Sequence, residues 1–214
     1  MIRGIIFDIN GTLSDIWTDE ESLDVYRVVS NFLDYQGVKI SPEKLKKLYF
    51  EINKRQRTDS DEPYPEFDIV ALFKTMTDKN ATSFFNDLPK KKRKLLPAIT
   101  AEVFRAASRR RLKLYPDVKK TLDALRKKYK LASVSDGQSA WARAELASVG
   151  LDGCFHPFIV SGDYGYRKPE YCVGFSRFLF FQTFFNRLDC RGQLPECRDF
   201  GIGARAAVFL FALI

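Results

Sequence analysis

The chain has 214 residues, 45% of them hydrophobic and 29% charged, which is ordinary for a folded soluble protein of one domain, with or without an inserted subdomain. No apolar run reaches the roughly 18 residues of a membrane span, and the short N-terminal apolar stretch carries Asp8, so we expect a cytoplasmic protein with neither a membrane segment nor a secretory signal. The net charge of +8 comes from residues 88–130, where PKKKRK and SRRRLK form one basic region. Because this region has no interleaved aromatic residues and no nucleic-acid motif, we interpret it as a solvated helix face and expect no nucleic-acid partner.

The first predicted element is a buried strand over residues 2–8. Apart from Arg3, its residues up to Phe7 are apolar or glycine, and such a continuous run is typical of a strand in a parallel sheet. The run ends on Asp8, and a polar turn containing Gly11 follows. A carboxylate is costly to bury unless its charge is compensated, so we expect Asp8 to have a partner.

Residues 17–112 are predicted to be helical. Thr18 can cap a first helix, whose apolar residues recur on one face. The tripeptide Ser41-Pro42-Glu43 begins a second helix, with a capping serine and a proline at the first helical position. Further helices are expected over residues 66–77 and 95–110.

After this block, helices alternate with strands. Helices are predicted over residues 116–128 and 139–149, and strands over KLASVSDG and PFIVSG. The alternation indicates a parallel sheet that includes the first strand, so the helical block is an insertion in an α/β fold. In open parallel sheets ligands bind at the carboxyl ends of the strands, where Asp8, Ser135 and the segment SGDYGYRKPE are all placed.

The residues expected at this edge suit covalent catalysis. The Asp8 carboxylate can act as a nucleophile that forms a covalent ester intermediate. It must stay ionised to do so, and Lys168 is the candidate cation. A transferred phosphoryl group needs hydrogen-bond donors in a dry site, for which the candidates are Ser135, the main-chain amides near Gly11, and Asp136-Gly137.

Three motifs in this order, FDINGTL, VSDG and GYRKPE, with a helical insertion after the first, resemble those of the haloacid dehalogenase superfamily of hydrolases. The resemblance covers about residues 1–170. It implies an α/β fold with a three-layer, Rossmann-like parallel sheet core formed by residues 1–16 and 113–214, and an inserted α-helical cap formed by residues 17–112. It also implies a hydrolase with a small-molecule substrate, while the sequence predicts no particular oligomeric state.

The same resemblance implies roles for individual residues. Asp8 corresponds to the nucleophile, Ser135 to the hydroxyl that binds the phosphoryl or carboxylate group, and Lys168 to the charge-balancing lysine. Thr12 stands where the family stabilises the nucleophile loop. In phosphatase members Mg²⁺ is held by the nucleophile, by the main-chain carbonyl two residues later (here Asn10) and by a late acid. Residues beside the motifs are expected to bind substrate: Asn10, Gly11, Thr12, Asp136 and Gly137.

Two departures from the family pattern keep alternatives open. Asn10 stands where phosphatase members carry a second aspartate as general acid and base; an amide cannot do this, and losing such a group typically costs about 10²- to 10⁴-fold in rate. No strand ending in Gly-Asp with a further Asp follows the lysine motif. The leading prediction is a phosphatase-type hydrolase acting on a small phosphorylated metabolite. The alternatives are carbon–halogen hydrolysis of the 2-haloacid dehalogenase type and a catalytically impaired binding protein.

The composition changes abruptly after Glu170. Residues 1–170 contain 18 lysines and the last 44 residues none, although these hold 3 of the 4 cysteines and 9 of the 19 phenylalanines. We interpret this tail as strongly divergent or translated from a shifted reading frame. RFLFFQTFF is a candidate buried helix and AAVFLFALI a candidate edge or terminal strand. The late Asp189 and Asp199 are not assigned as metal ligands.

Overall fold

A computed structural model describes residues 4–168 and 208–211 of the chain. In chain order the elements are β1 (Gly4–Phe7), β2 (Ser14–Thr18), α1 (Leu23–Tyr35), α2 (Pro42–Thr58), α3 (Ile69–Asn80), α4 (Ser83–Asp87), α5 (Lys90–Ser108), β3 (Arg109–Leu114), α6 (Val118–Leu125), β4 (Lys130–Ser135), α7 (Ser139–Ser148), β5 (Phe158–Val160) and β6 (Val208–Phe211). No helix in these ranges has the length and apolarity needed to cross a membrane.

The central sheet of the described residues has the strand order β5-β4-β1-β6. Strand β1 pairs in parallel with β4, and β4 with β5, so the predicted α/β fold with a parallel sheet is confirmed. Strand β6 pairs antiparallel with β1, with Gly4 opposite Phe211, which confirms the strand predicted in AAVFLFALI. The helix predicted in RFLFFQTFF lies outside the described residues. Because β1, β4 and β5 are parallel, their carboxyl ends meet at one edge of the sheet.

A hydrophobic cluster joins the sheet to the helices that follow the insertion. Ile5 and Phe7 lie on one face of β1 and are buried together with Val118 and Leu122 of α6 and Leu146 of α7. Alternate residues of a strand point to the same face, so the apolar run of β1 supplies this contact directly. The packing holds the end of β1, and therefore the residue that follows it, in a fixed place.

The helical insertion has a second hydrophobic cluster of its own. Phe104 of α5 is fully buried at its centre, and the rings of Tyr26, Tyr49 and Phe73 lie 4.7–5.8 Å from its ring, centroid to centroid. Trp141 of α7 also belongs to this cluster, so the insertion packs against a helix of the sheet layer.

Two helix starts in the insertion follow from capping. The predicted start at Ser41 is confirmed, because α2 begins at Pro42 and the Ser41 hydroxyl accepts a hydrogen bond from the Lys44 amide at 3.3 Å. Helix α3 begins at Ile69, later than predicted. The Asp68 carboxylate caps this start by accepting hydrogen bonds from the amides of Val70 and Ala71, at 2.8 and 2.9 Å.

The prediction that Thr18 caps the first helix is wrong, because Thr18 ends β2 and α1 begins at Leu23. Strands β2 and β3 form an antiparallel ribbon across the two ends of the segment 17–112, whose terminal residues are predicted to be helical and are instead in strands. Asp15 of β2 lies 2.9 Å from Arg111 and 3.8 Å from Lys113 of β3. Such a short ribbon depends on a partner strand far along the chain, which local periodicity does not reveal.

The two basic stretches do not form one region. Lys90–Lys94 occupy the first turns of α5, whereas Arg109–Arg111 begin β3 directly after that helix, so about 22 Å of helix separates Lys94 from Arg109. Two of these arginines form ion pairs, Arg110 with Asp19 and Arg111 with Asp15. These two basic stretches therefore lie at opposite ends of α5.

Candidate active site

The predicted motifs come together at the carboxyl edge of the sheet. Asp8 directly follows β1, Ser135 is the last residue of the neighbouring strand β4, and Lys168 lies in the loop that follows β5. Lys168 and Asp8 are 160 positions apart in the chain and are in direct contact. The parallel pairing of the strands is what brings these distant motifs to one place.

Both oxygens of the Asp8 carboxylate accept hydrogen bonds. The Lys168 ammonium donates to Oδ1 and forms an ion pair with it, and the Thr12 hydroxyl donates to Oδ2 at 2.9 Å. The side chains of Asp8 and Lys168 remain 21% and 23% exposed. The carboxylate is thus oriented, balanced in charge and accessible, a combination that suits a nucleophile.

The turn after Asp8 is closed by its own main chain. Gly11 has a φ of +80°, a left-handed conformation that glycine adopts without strain. Its amide donates to the Ser14 carbonyl at 2.8 Å, and the Thr12 amide donates to another carbonyl of the turn at 3.2 Å. These two amides, which the sequence suggested as donors to a substrate, are engaged in the turn. Thr12 therefore reaches Asp8 through its hydroxyl.

Lys168 is held at its main chain as well as at its side chain. The ammonium also donates to the Val134 carbonyl at 3.2 Å, and the Lys168 amide donates to Asp136 Oδ1 at 2.9 Å. Helix α7 has no side-chain cap, so the alternative prediction that Asp136 caps the helix at Ser139 is wrong. The carboxylate of Asp136 instead fixes the backbone that carries Lys168.

Ser135 is buried, with 4% of its surface exposed, and its hydroxyl donates to the Asp136 carbonyl at 3.4 Å. Ser135 and Asn10 line a cavity of about 20 Å³, which has room for about one water molecule. A wider cavity of about 280 Å³ lies between α1 and α5 and is lined by none of the predicted site residues. Within the described part of the chain, the predicted site is therefore a compact polar cluster.

The described residues offer oxygen ligands of the kind that Mg²⁺ prefers. Mg²⁺ is commonly bound by one or two carboxylates together with water and substrate phosphates. The Asp8 carboxylate has lone pairs beyond those used by Thr12 and Lys168, and the main-chain carbonyl of Asn10 is a second hard donor. No group of three His, Cys, Asp or Glu side chains in residues 4–168 is arranged to hold a metal. Asp189 and Asp199 lie outside the described residues. Asp8 and Asn10 thus offer two donors of the type that Mg²⁺ takes.

A buried carboxylate that the sequence analysis missed lies next to this site. Glu66, between α2 and α3, has a side chain only 4% exposed. It accepts hydrogen bonds from the Ser161 hydroxyl at 2.9 Å and the Phe67 amide at 3.1 Å, and Arg57 and Arg167 lie 3.5 and 3.8 Å from its oxygens. Burial raises the pKa of the Glu66 carboxyl above its ordinary value, although these four groups act in the opposite direction.

Gln138 makes a second polar contact between the insertion and the sheet layer. Its side-chain oxygen accepts from the Ile69 amide at 3.1 Å, and its side-chain nitrogen donates to the Phe67 carbonyl at 2.6 Å. Neither Gln138 nor Glu66 belongs to a spacing pattern, and the partners that join the two layers are distant: Ile69 is 69 positions from Gln138, and Ser161 is 95 positions from Glu66. No signal in a single sequence could have identified them.

The raised pKa of Glu66 predicts a pH dependence of stability. Because the folded protein binds the Glu66 proton more tightly than the unfolded chain does, the contribution of Glu66 is lost as pH rises from the ordinary value of 4.5 through the raised pKa. We expect the free energy of unfolding of the wild type, relative to Glu66→Gln, to fall as pH rises across this interval. Urea unfolding of both proteins at several pH values measures it, and a difference that does not change with pH would contradict the prediction.

Comparison with known proteins identifies a family that matches most of this chain. A family model for haloacid dehalogenase-like hydrolases matches residues 2–171. No curated protein matches the chain.

The chain is also similar to several solved structures. A 2-haloacid dehalogenase from Pseudomonas syringae pv. Tomato DC3000 is 18% identical, with 87% of this chain and 74% of that chain covered and a TM-score of 0.49. An L-2-haloacid dehalogenase from Xanthobacter autotrophicus is 18% identical, with 87% and 66% covered and a TM-score of 0.39. A predicted phosphoglycolate phosphatase from Haemophilus somnus 129pt is 20% identical, with 85% and 70% covered and a TM-score of 0.33. Identities this low do not determine a substrate.

Proposed function

The chain belongs to the haloacid dehalogenase-like hydrolase family, and we propose that it hydrolyses a small phosphorylated metabolite with Asp8 as the nucleophile. The observation that carries this proposal is the Asp8 carboxylate held between the Thr12 hydroxyl and the Lys168 ammonium at the carboxyl edge of the sheet. A carboxylate oriented in this way can attack an electrophilic phosphorus atom.

The proposed reaction has two steps. First, an Asp8 oxygen forms a bond to phosphorus while the bond from phosphorus to the leaving oxygen breaks, and the leaving group takes a proton from water to become an alcohol. Second, a water molecule attacks phosphorus, the bond to Asp8 breaks, and inorganic phosphate and the carboxylate are released. Asn10 cannot supply the proton for the first step, so esters with acidic leaving groups should react fastest.

The residues around Asp8 have separate tasks in this scheme. Lys168 offsets the charge of the carboxylate and of the incoming phosphate, and Asp136 keeps it in place through its main chain. Ser135 contacts the transferred group through its hydroxyl, whereas the Gly137 amide, also expected to bind substrate, is engaged by the Ser161 hydroxyl. When bound by the Asp8 carboxylate and the Asn10 carbonyl, Mg²⁺ would neutralise charge on the phosphate oxygens.

We further propose that the helical insertion, residues 17–112, is the cap of this hydrolase. Its hydrophobic cluster around Phe104 is distinct from the cluster under the sheet and supports a unit with a core largely of its own, docked on α7 at Trp141. Opening of such a cap admits substrate, and closing excludes water from the site.

A chelation experiment tests the reaction type. We expect p-nitrophenyl phosphate to be hydrolysed in the presence of Mg²⁺ and the activity to be lost on addition of EDTA and regained with excess Mg²⁺. The parallel assay follows chloride release from 2-chloropropionate with and without EDTA. Chloride release that is indifferent to EDTA, with no phosphate release, would overturn the phosphatase proposal.

The amide side chain at Asn10 is the feature that favours two other functions, dehalogenation and ligand binding without turnover. A dehalogenation in which Asp8 displaces halide from carbon needs no acid at this position, so the amide is compatible with that reaction. A protein that binds ligand without turnover is also compatible with it. If neither probe is hydrolysed by the wild type, the binding function is supported.

A further inference from the structure

Glu66 lies where the helical insertion meets the loop that carries Lys168. A carboxylate this deeply buried is costly unless it is hydrogen-bonded, and both of its oxygens are. One of its three hydrogen-bond donors, Ser161, belongs to the sheet layer, directly after β5. Glu66 therefore connects the insertion to the layer that contains Asp8.

The main chain on either side of Glu66 also holds this loop. The Glu66 amide donates to the Gly165 carbonyl at 2.9 Å, and the Arg167 amide donates to the Tyr64 carbonyl at 2.7 Å. These bonds form an antiparallel bridge between residues 65 and 166. The main chain of Arg167, immediately before Lys168, is thus hydrogen-bonded to the insertion.

Ser161 extends the contact to the second site motif. Its hydroxyl oxygen accepts a hydrogen bond from the Gly137 amide at 2.9 Å while the hydroxyl donates to Glu66. Gly137 follows Asp136, whose carboxylate receives the Lys168 amide. The Glu66 carboxylate therefore reaches Lys168 through Ser161 and the Asp136-Gly137 turn, while the main-chain bridge at Arg167 holds the same loop independently of that carboxylate.

We propose that Glu66 is a positioning residue that holds Lys168 against Asp8, so that the site is complete only when the insertion is docked on the sheet layer. The proposal rests on the proposed function, in which Lys168 offsets the charge of the Asp8 nucleophile. A structural contact at the same interface would not have this effect. Glu145 of α7 provides the comparison, because its carboxylate is also buried and pairs with Arg105 of α5 at 2.6 Å, and no hydrogen bond or ion pair joins it to residues 161–168.

The test measures how accessible Lys168 is to an amine reagent. Wild type, Glu66→Gln, Ser161→Ala and the control Glu145→Gln are treated with limiting acetic anhydride, and acetylation of each lysine is followed by mass spectrometry. We expect Lys168 to be acetylated about fivefold faster or more in Glu66→Gln and Ser161→Ala, as for typical coupling between sites, but at the wild-type rate in Glu145→Gln. Lys46, which pairs with Glu21, should be unchanged in all four proteins.

Each outcome decides the proposal. Wild-type Lys168 reactivity in both Glu66→Gln and Ser161→Ala overturns it, and so does an equal increase in Glu145→Gln. If Glu66→Gln fails to fold by circular dichroism, Ser161→Ala decides alone. The labelling needs no turnover, so a chain that hydrolyses neither probe but shows the expected labelling counts against the proposed hydrolysis and leaves the positioning by Glu66 standing.

Discussion

Replacing Asp8 by asparagine is expected to lower kcat for p-nitrophenyl phosphate by about 10³-fold or more, because the neutral amide is not a nucleophile. Asparagine fills the same space and keeps an oxygen that can accept from Thr12. The buried apolar residues of β1 hold the strand in place, so we expect the variant to fold. Initial rates at saturating Mg²⁺, with folding checked by circular dichroism, measure the effect.

Asp15→Asn is the matched control for this substitution. The Asp15 side chain is 22% exposed, against 21% for Asp8, and it also forms an ion pair, with Arg111. It lies on β2 in the ribbon and takes no part in the proposed reaction. We expect it to keep the wild-type rate. An Asp8→Asn protein that hydrolyses the ester as fast as Asp15→Asn would exclude Asp8 as the nucleophile.

Replacing Lys168 by methionine is expected to lower kcat by about 10²- to 10³-fold, the usual cost of removing one group that stabilises developing charge. Methionine retains the apolar stem of the side chain but leaves Asp8 without its cation. Repulsion between the unbalanced carboxylate and the phosphate then raises the barrier to attack. Rates measured over a range of ester concentrations separate this effect on kcat from an effect on KM.

Lys46→Met is the matched control for Lys168→Met. The Lys46 ammonium, like that of Lys168, contacts one carboxylate and one main-chain carbonyl, both from Glu21, and its side chain is 31% exposed. It lies in α2, away from the predicted site. Loss of activity in both variants to the same extent would show that the effect of Lys168 is one of general stability.

Local signals in the sequence were sufficient for several elements. The apolar run before Asp8 predicted β1, and Ser41-Pro42 predicted the start of α2, because burial and capping depend on residues within a few positions of each other. The alternation after residue 112 predicted a parallel sheet, and from it the meeting of Asp8 with the Lys168 segment. These predictions depend on general rules for parallel sheets and needed no knowledge of particular contacts.

Other features depend on pairs of residues that are far apart in the chain. The sequence is compatible with two roles for Asp136, substrate binding and helix capping, and its contact with the Lys168 amide is a third that no motif predicts. No local pattern predicts the ribbon of β2 and β3 either. Glu66 belongs to no sequence motif, because the contact that distinguishes it is made with Ser161, 95 positions later in the chain.

The sequence by itself determined the α/β class, the order of the motifs and the edge of the sheet at which they meet, because strand and helix patterns are local and parallel strands end together. Only the tertiary structure decided that Asp136 holds the main chain of Lys168, and that Glu66 and Gln138 join the insertion to the sheet layer. The physical reason is that buried carboxylates and amides are satisfied by whichever partners packing brings to them, and packing joins residues that the chain keeps apart.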